Sequence, residues 1–358
     1  MARSPSRKPL LSNAELAELL TGEAERSEGI LPRAFKRAAR SAFLWPEEAS
    51  ALFAENRALT ELKSVGPFLA KQLEAWLRKA PRVPRAPEIR RDFLTLASAR
   101  KILAARPAWA RQVRGDLQMH THWSDGSGTV AEMAAAAEAR GYDYIAITDH
   151  SKGLKIAGGI NETALRKQAK EIEGTNRATA RTGGKVTVLR SIEMNLNPRG
   201  EGDMEPSALR GLDLVLGSFH SSLRTTEDQT DRYLRAVANP HIQILGHPRG
   251  RIYNYRLGLK ADWSRVFAAA AKLDKAVEVD CYPDRQDLSL ALLKVAKREG
   301  VRISLGTDAH HAWQLGFIEL GLAATLQAGI PADRIVNFLL LSDLHGWIAK
   351  LRRNRADA

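Results

Sequence analysis

At 358 residues the chain has room for two domains and a sizeable core, and its 44% hydrophobic and 27% charged residues are those of a soluble globular protein. No apolar run approaches the ~20 residues that span a bilayer, and the basic N-terminus MARSPSRKPLLSNAEL lacks the apolar segment and cleavage site of a secretory leader. A single cysteine, Cys281, excludes an intrachain disulfide framework, so a cytoplasmic location without membrane association is expected. The net charge of +13 is unevenly spread: residues 1–113 hold 21 Lys/Arg against 12 Asp/Glu, and the remaining 245 residues hold 33 against 29. A basic N-terminal third points to a polyanionic partner, with DNA the leading candidate. Drift of surface charge toward arginine in a high-GC genome is the bland alternative.

Residues 13–79 read as several helices. Asn13 is a plausible N-cap for AELAELLTGEAE, and RAFKRAARSAFLW carries apolar residues at helical spacing. The segment LTELKSVGPFLAKQL, residues 59–73, reads as a helix–hairpin–helix: an apolar helix, a tight turn at Ser64-Val65-Gly66-Pro67, then a second helix. Such a turn lets backbone N–H groups and the second helix's N-terminus meet a DNA phosphate without base contacts. Lys63, Ser64, Val65, Gly66 and Lys71 are therefore candidate DNA-binding residues. An ordinary helical hairpin with a Gly-Pro start is the alternative, and Ser64 stands where such turns usually carry their first glycine. Three prolines between Pro81 and Pro87 mark a linker, followed by the helical DFLTLASARKILAARPAW.

From Asp116 onward the pattern changes. Short β-branched runs (YDYIAITDH, KVTVLRSIEM, LDLVLGSFH, IQILGHP, KAVEVDCYP, RISLGTDAH) alternate with helical stretches such as VAEMAAAAEARG and ETALRKQAKEIEGTN. This alternation predicts parallel strands with helical crossovers. The expected organisation is an all-α domain over 1–80, a linker with a helix over 81–113, and an α/β domain over 114–350.

Nearly every one of these strands ends in a potential metal ligand. LQMHTH ends in His120 and His122, with Asp125 close behind, and AITDH ends in His150. The later runs deliver Glu193, His220, His247, and finally Asp308 and His310. Seven of the nine histidines lie at or beside strand ends, counting His311. In a β/α barrel the C-terminal strand ends converge on one face, where active sites are built. Residues two apart on a strand share a face, so His120-x-His122 and Asp308-x-His310 should each present two side chains to the mouth. Imidazole with carboxylate suits Zn²⁺, Mn²⁺ or Fe. Nine ligands are too many for one ion with a substrate and suffice for two or three, an arrangement suited to in-line displacement at phosphorus.

The motifs GDLQMHTHWSDG, GYDYIAITDHS, the Glu193 strand, FHSS, GHPRGR and GTDAHH resemble those of the PHP (polymerase and histidinol phosphatase) family. The likeness is nearest to the PHP domain that ends bacterial family X DNA polymerases, and it covers residues 114–346. The resemblance implies a distorted seven-stranded (β/α) barrel with three divalent ions. One would take His120, His122, Glu193 and Asp308; a second would share Glu193 and add His220 and His247; the third would take Asp125, His150 and His310. Glu193 and Asp308 are then central to catalysis. Lys152, Arg224, Arg249, Arg251 and Arg285 lie beside the metal motifs as candidate phosphate clamps; of these, Arg251 and Arg285 match family positions. The strand EVDCYPDRQDL departs from the small polar sequence usual there, leaving Cys281 as a buried apolar residue or an extra soft ligand. His241 and His345 fall outside the motifs.

The N-terminal helices with RAFKRAAR resemble the small DNA-end-binding domain of family X polymerases. Gln72, with Lys71 adjacent, occupies the position of the Schiff-base lysine of relatives with lyase activity, so no lyase activity is expected. About 35 residues separate the hairpin from the barrel, too few for a polymerase palm and fingers, so no DNA synthesis is expected. The leading expectation is a metal-dependent phosphoesterase that processes DNA ends, as a 3′-5′ exonuclease, 3′-phosphatase or AP endonuclease. The alternatives are a small-molecule phosphatase of histidinol-phosphatase type, acting on a phosphorylated metabolite, and a non-catalytic DNA-binding protein.

Overall fold

A computed structural model of the protein describes residues 10–356; the first nine residues, part of the N-terminus read above as leaderless, lie outside the described residues. The chain divides into two compact units, Met1–Ala105 and Arg106–Ala358.

The first unit holds α1 (Asn13–Arg26), α2 (Leu31–Ala42), α3 (Ala49–Ala54), α4 (Pro67–Lys79) and α5 (Leu96–Ala104). α1 starts one residue earlier than an Asn13 cap implies. Ser12 is the N-cap, and a capping box joins its hydroxyl to the Glu15 N–H and its N–H to the Glu15 carboxylate. Asn13 instead spans the fold, accepting from the Ala49 N–H and donating to the Glu47 carbonyl. Leu16, Leu20, Trp45, Leu52, Leu59 and Leu73 fill the core.

The expected helix–hairpin–helix is only half formed. α4 begins as read, with Gly66 as N-cap and Pro67 at its first position. The residues before the turn, however, make a single 3₁₀ turn, Leu59–Glu61, instead of a helix. Leu59 and Leu62 are both buried, a three-residue spacing that one 3₁₀ turn satisfies. Ser64 then takes φ 66°, turning the chain before a second helical turn can form. Of the candidate DNA contacts here, Val65 is buried, Lys63, Gly66 and Lys71 are exposed, and Ser64 shares a hydrogen bond with Ser41 of α2 at 2.9 Å. α2 itself exposes Arg33, Lys36, Arg37 and Arg40 along one face and buries Phe35, whose ring meets that of Phe68 edge-on. Part of the segment read as a linker belongs to this unit: the Leu96 N–H bonds the Phe43 carbonyl, and Arg90 pairs with Glu18 at 3.0 Å.

In the second unit the helices are α6 (Pro107–Ala110), α7 (Val130–Ala139), α8 (Glu162–Arg181), α9 (Pro206–Leu209), α10 (Thr230–Ala238), α11 (Trp263–Lys272), α12 (Leu290–Glu299), α13 (Ile318–Ala328) and α14 (Leu341–Ala356). They are interspersed with the strands β1 (Gly115–Asp116), β2 (Tyr144–Ile147), β3 (Thr187–Arg190), β4 (Glu193–Asn195), β5 (Leu216–Ser218), β6 (Ile244–Leu245), β7 (Ala276–Asp280) and β8 (Arg302–Gly306). All pairings are parallel, in the order β1-β2-β3 and β4-β5-β6-β7-β8. β3 and β4 are halves of one run broken at Ser191 and Ile192, the first half pairing with β2 and the second with β5. Beyond the named strands, the His120 N–H bonds the Ala309 carbonyl and the Asp308 N–H bonds the Gln118 carbonyl, so the first and last segments lie side by side.

β2 shows how the sequence builds this layer. Tyr144 and Ala146 face a cluster with Leu189, Leu216, Ile244 and the α14 residues Leu344, Trp347 and Ile348. Ile145 and Ile147 face the other way, onto α7 and α8 through Met133, Ala137 and Ile172. Both faces are buried, so the strand is apolar throughout, as parallel strands between helices must be.

Candidate metal centre

The polar side chains gather where these strands end, around one carboxylate. Glu193 opens β4 and is 1% exposed. Its Oε1 lies 2.7 Å from His247 Nε2 and 3.3 Å from His220 Nε2; its Oε2 lies 2.9 Å from His150 Nδ1 and 3.6 Å from His120 Nε2. Asp125 makes a second focus, its Oδ1 3.3 Å from His310 Nε2 and 3.6 Å from His150 Nε2. Asp308 closes the ring, with one oxygen 2.9 Å from His120 Nε2 and the other on the Arg285 guanidinium. The His120 ring stacks between those of His150 and His310 at 4.4 and 4.5 Å. Eight of the nine expected ligands are thus drawn into one constellation.

This placement costs the backbone local strain. Asp308 sits at φ 52°, a left-handed conformation uncommon outside glycine. Gly126 lets the turn after His120 close tightly: a Cβ there would stand 2.5 Å from the His120 carbonyl.

His122 is the exception and corrects the expectation that it shares a face with His120. Its ring is 44% exposed, and the carboxylate near it is Glu171, at 3.7 Å. The alternation rule needs continuing strand, but the chain turns at residues 122–125, where the Ser124 and Gly126 N–H groups both bond the Thr121 carbonyl. Buried Asp149 fixes that turn by accepting from Thr121 N–H and hydroxyl, Ser124 and Gln168.

Electrostatics bind the cluster. Burial would raise the Glu193 carboxyl, but the imidazoles of His150, His220 and His247 hold it well below the usual carboxylate range. Burial opposes protonation of His247, yet Glu193 drives it up to about 10; His310, half-buried, is driven to about 9 by Asp125 and Asp308. Burial lowers His220. Against burial, Arg285 and His120 keep Asp308 ionised.

The donor set fits divalent ions. His220 Nδ1 donates to Asn195 Oδ1 and His310 Nδ1 to the Asp308 carbonyl, which leaves Nε2 aimed at Glu193 as a lone pair in His220 and at Asp125 through a proton that an ion would displace in His310. An acceptor facing an acceptor at 3.3 Å, as His220 Nε2 meets Glu193, calls for a cation between or upon them. His120 Nδ1 and Glu193 Oε2 are buried without a hydrogen bond. Two subsets, His120–Asp125–His150–His310 and His150–Glu193–His220, have ligand atoms close enough to share an ion.

The candidate phosphate clamps separate. Arg285 reaches the centre through Asp308 and stands 3.6 Å from buried Asp280. Arg251 is 5% exposed and donates its Nε to the Arg285 carbonyl, supporting that loop from behind. Arg249 donates its guanidinium to the Leu257 and Leu259 carbonyls, Lys152 pairs with Glu162, and Arg224 lies over Tyr255. Cys281 is buried with Gly321 of α13 against its sulfur, an apolar packing position. His345 and His311 are exposed, the latter bonded to Ser127.

Sequence reasoning missed Asn195, Asp149, Glu278 and Asp280. Asn195 was detectable, two residues from Glu193 on the same strand face. Glu278 lies fully buried under His247, accepting its N–H at 2.6 Å, and burial reinforced by Asp280 holds its carboxyl above the usual range.

Parallel α/β architecture with imidazoles and carboxylates at the strand ends and an arginine beside them defines a metal-dependent phosphoesterase domain. The match to a family model says which one: residues 116–309 fit the PHP domain, and the chain belongs to that family. The DNA polymerase/3′-5′ exonuclease PolX of Bacillus subtilis is 34% identical over 240 residues, which cover 67% of this chain and 41% of that protein. This chain therefore spans less than half the length of that relative. A protein named "Probable phosphatase" from Thermoanaerobacter sp. is 29% identical over 238 residues, covering 62% of this chain and 89% of its own. The crystal structure of histidinol phosphate phosphatase from Lactococcus lactis, complexed with zinc, L-histidinol and phosphate, aligns at 20% identity and a TM-score of 0.43 over 61% of this chain and 94% of that one.

Proposed function

We propose that this protein is a metal-dependent phosphoesterase that processes DNA ends, as a 3′-5′ exonuclease, 3′-phosphatase or AP endonuclease. The observation that carries the hydrolytic half is the convergence of four imidazoles on the buried carboxylate of Glu193. On this reading Glu193, His220 and His247 would hold one ion, Asp125, His150 and His310 another, and His120 with Asp308 a third that shares Glu193. His122 completes that third set only if its ring turns from Glu171. We read the eight strands, with β3 and β4 as one run, as the seven-stranded barrel of the family.

Bound Mn²⁺, Zn²⁺ or Fe would lower the pKa of water and neutralise phosphate charge. The chain's own groups do the rest. Asp308 and Asp280 hold the Arg285 guanidinium in place to pair with phosphate oxygens, and Arg251 braces the Arg285 backbone. Asn195 and the Asp308 carbonyl fix which nitrogen of His220 and His310 is presented.

The DNA half rests on the first unit. The Arg33, Lys36, Arg37 and Arg40 face of α2 is exposed and forms no ion pair among the described residues. It supports backbone contacts of a sequence-independent kind, to which Lys63, Ser64, Gly66 and Lys71 would add. Buried Val65 would shape the turn without touching DNA. The histidinol-phosphatase type remains the rival, because the same centre would serve a small phosphorylated metabolite. Mn²⁺-loaded protein should degrade or dephosphorylate end-labelled single-stranded, gapped or abasic DNA in preference to histidinol phosphate. Turnover of the small phosphate alone would overturn the ranking.

A further inference from the structure

After His247 the chain makes a tight excursion that the metal centre does not use. Ile252 and Arg256 form an antiparallel bridge, exchanging backbone hydrogen bonds at 2.9 Å around a turn with Asn254 at φ 53°. This small hairpin is fastened to the loop that carries Arg285: the Tyr253 N–H donates to the Asp284 carbonyl at 2.6 Å, and Arg251 Nε donates to the Arg285 carbonyl at 2.8 Å. At its tip Tyr255 is 58% exposed, and the Arg224 guanidinium lies 4.5 Å from its ring centroid. Arg256 folds its Nε onto the Gly250 carbonyl, which leaves its terminal nitrogens for other partners.

Arg224, Arg256 and Arg285 thus come from the loops after β5, β6 and β7. Burial and the adjacent Arg285 and Arg224 guanidiniums both push Arg256 below its usual value. Asp287 offsets this only weakly, and one of its oxygens already accepts from the Arg249 and Gly250 N–H groups. Guanidiniums brought together from three neighbouring loops repel one another, and an anion placed among them relieves that repulsion.

We propose that Arg224, Tyr255 and Arg256 form an anion subsite beside the metal centre, which takes the phosphate next to the scissile one and stacks the intervening base on Tyr255. The substrate class is then a polynucleotide end and not an isolated phosphate ester. This rests on the phosphoesterase reading above and specifies its substrate. Scissile phosphate belongs to the metal ligands and Arg285; a substrate with only that phosphate leaves Arg256 unanswered. Base stacking on an exposed ring is tolerant of sequence, as end processing requires.

The test compares two substrates on the full-length, Mn²⁺-loaded protein: a short single-stranded oligonucleotide, and the p-nitrophenyl ester of thymidine 5′-monophosphate, which lacks a neighbouring phosphate. Arg256→Gln should lower kcat/KM for the oligonucleotide relative to the ester by about tenfold, mainly through KM, the effect expected for one charge-assisted hydrogen bond. Arg256→Lys should recover part of the loss, and Arg224→Gln should act in the same direction. Equal losses on both substrates, or no loss on either, would overturn the subsite while leaving the nuclease reading intact. Wild-type protein that cleaves the ester and not the oligonucleotide would overturn both. Matching thermal melts for the variants exclude unfolding as the cause.

Discussion

Charge is handled in opposite ways in the two units. Around Glu193, carboxylates and imidazoles are buried, and each leans on several others, so the position of one fixes the rest. On α2, Arg33, Lys36, Arg37 and Arg40 stand in solvent, outside any ion pair among the described residues. A buried charge must find a partner or neutralise, so such a centre is rigid, specific and easily broken by one substitution. An exposed basic face acts through its summed field, tolerates single changes and fades with salt.

The contrast can be broken most severely at the hub. Glu193→Gln should lower phosphodiester turnover by more than ~100-fold, beyond the usual cost of losing a residue that merely supports a ligand; steady-state assays with DNA would show it, and near-normal turnover would sink the centre as described. Replacing Arg33, Lys36, Arg37 and Arg40 together with Gln should leave metal binding alone but weaken DNA binding. On single-stranded DNA it should also flatten the slope of log affinity against log salt by about 3, about 0.7 for each of four phosphates no longer neutralised. A slope unchanged in a fluorescence-anisotropy titration would remove α2 from the DNA surface.

Protons and metal ions should compete at the centre. With His310 near 9 and His247 near 10, metal must displace protons from both below those values. Metal affinity should therefore climb between pH 7 and 10, by up to about tenfold per pH unit for each proton displaced. Calorimetry in buffers of different ionisation heat counts those protons. Without metal the sign reverses. Histidine pKa values raised in the folded state stabilise it fully below about 6.5, and that contribution is lost as pH rises through about 9 and 10. Chelator-treated protein should melt lower at about pH 9.5 than at about pH 7, while metal-loaded protein should not. The smallest effect belongs to Ser64, held at φ 66°. Ser64→Gly should change the stability of the first unit by less than about 1 kcal/mol in chemical denaturation, because the left-handed strain it relieves is offset by loss of the hydrogen bond to Ser41.

Much of the centre is legible in the sequence because strand-end polarity survives there: parallel strands buried on both faces must be apolar, so a His, Asp or Glu at their ends stands out. The exceptions share a physical cause. Alternation misplaces His122 because the chain turns at residues 122–125 instead of continuing as strand, and the helix expected before Ser64 is cut to one turn by the spacing of Leu59 and Leu62. Asp149 and Glu278 act through backbone N–H groups and hidden neighbours, which no spacing rule reveals. Arg249 and Arg256 look alike in RGRIYNYR. Only the hairpin geometry shows one committed to carbonyls and the other turned beside Arg285 and Arg224.

The central claim is that Glu193 joins separate ion sites, and native mass spectrometry tests it most directly. Wild-type protein reconstituted with Mn²⁺ should carry more than one ion per chain, and Glu193→Gln, folded by circular dichroism, should carry fewer. A wild-type chain that binds no ion, or a Gln variant that keeps the full complement, would contradict the account.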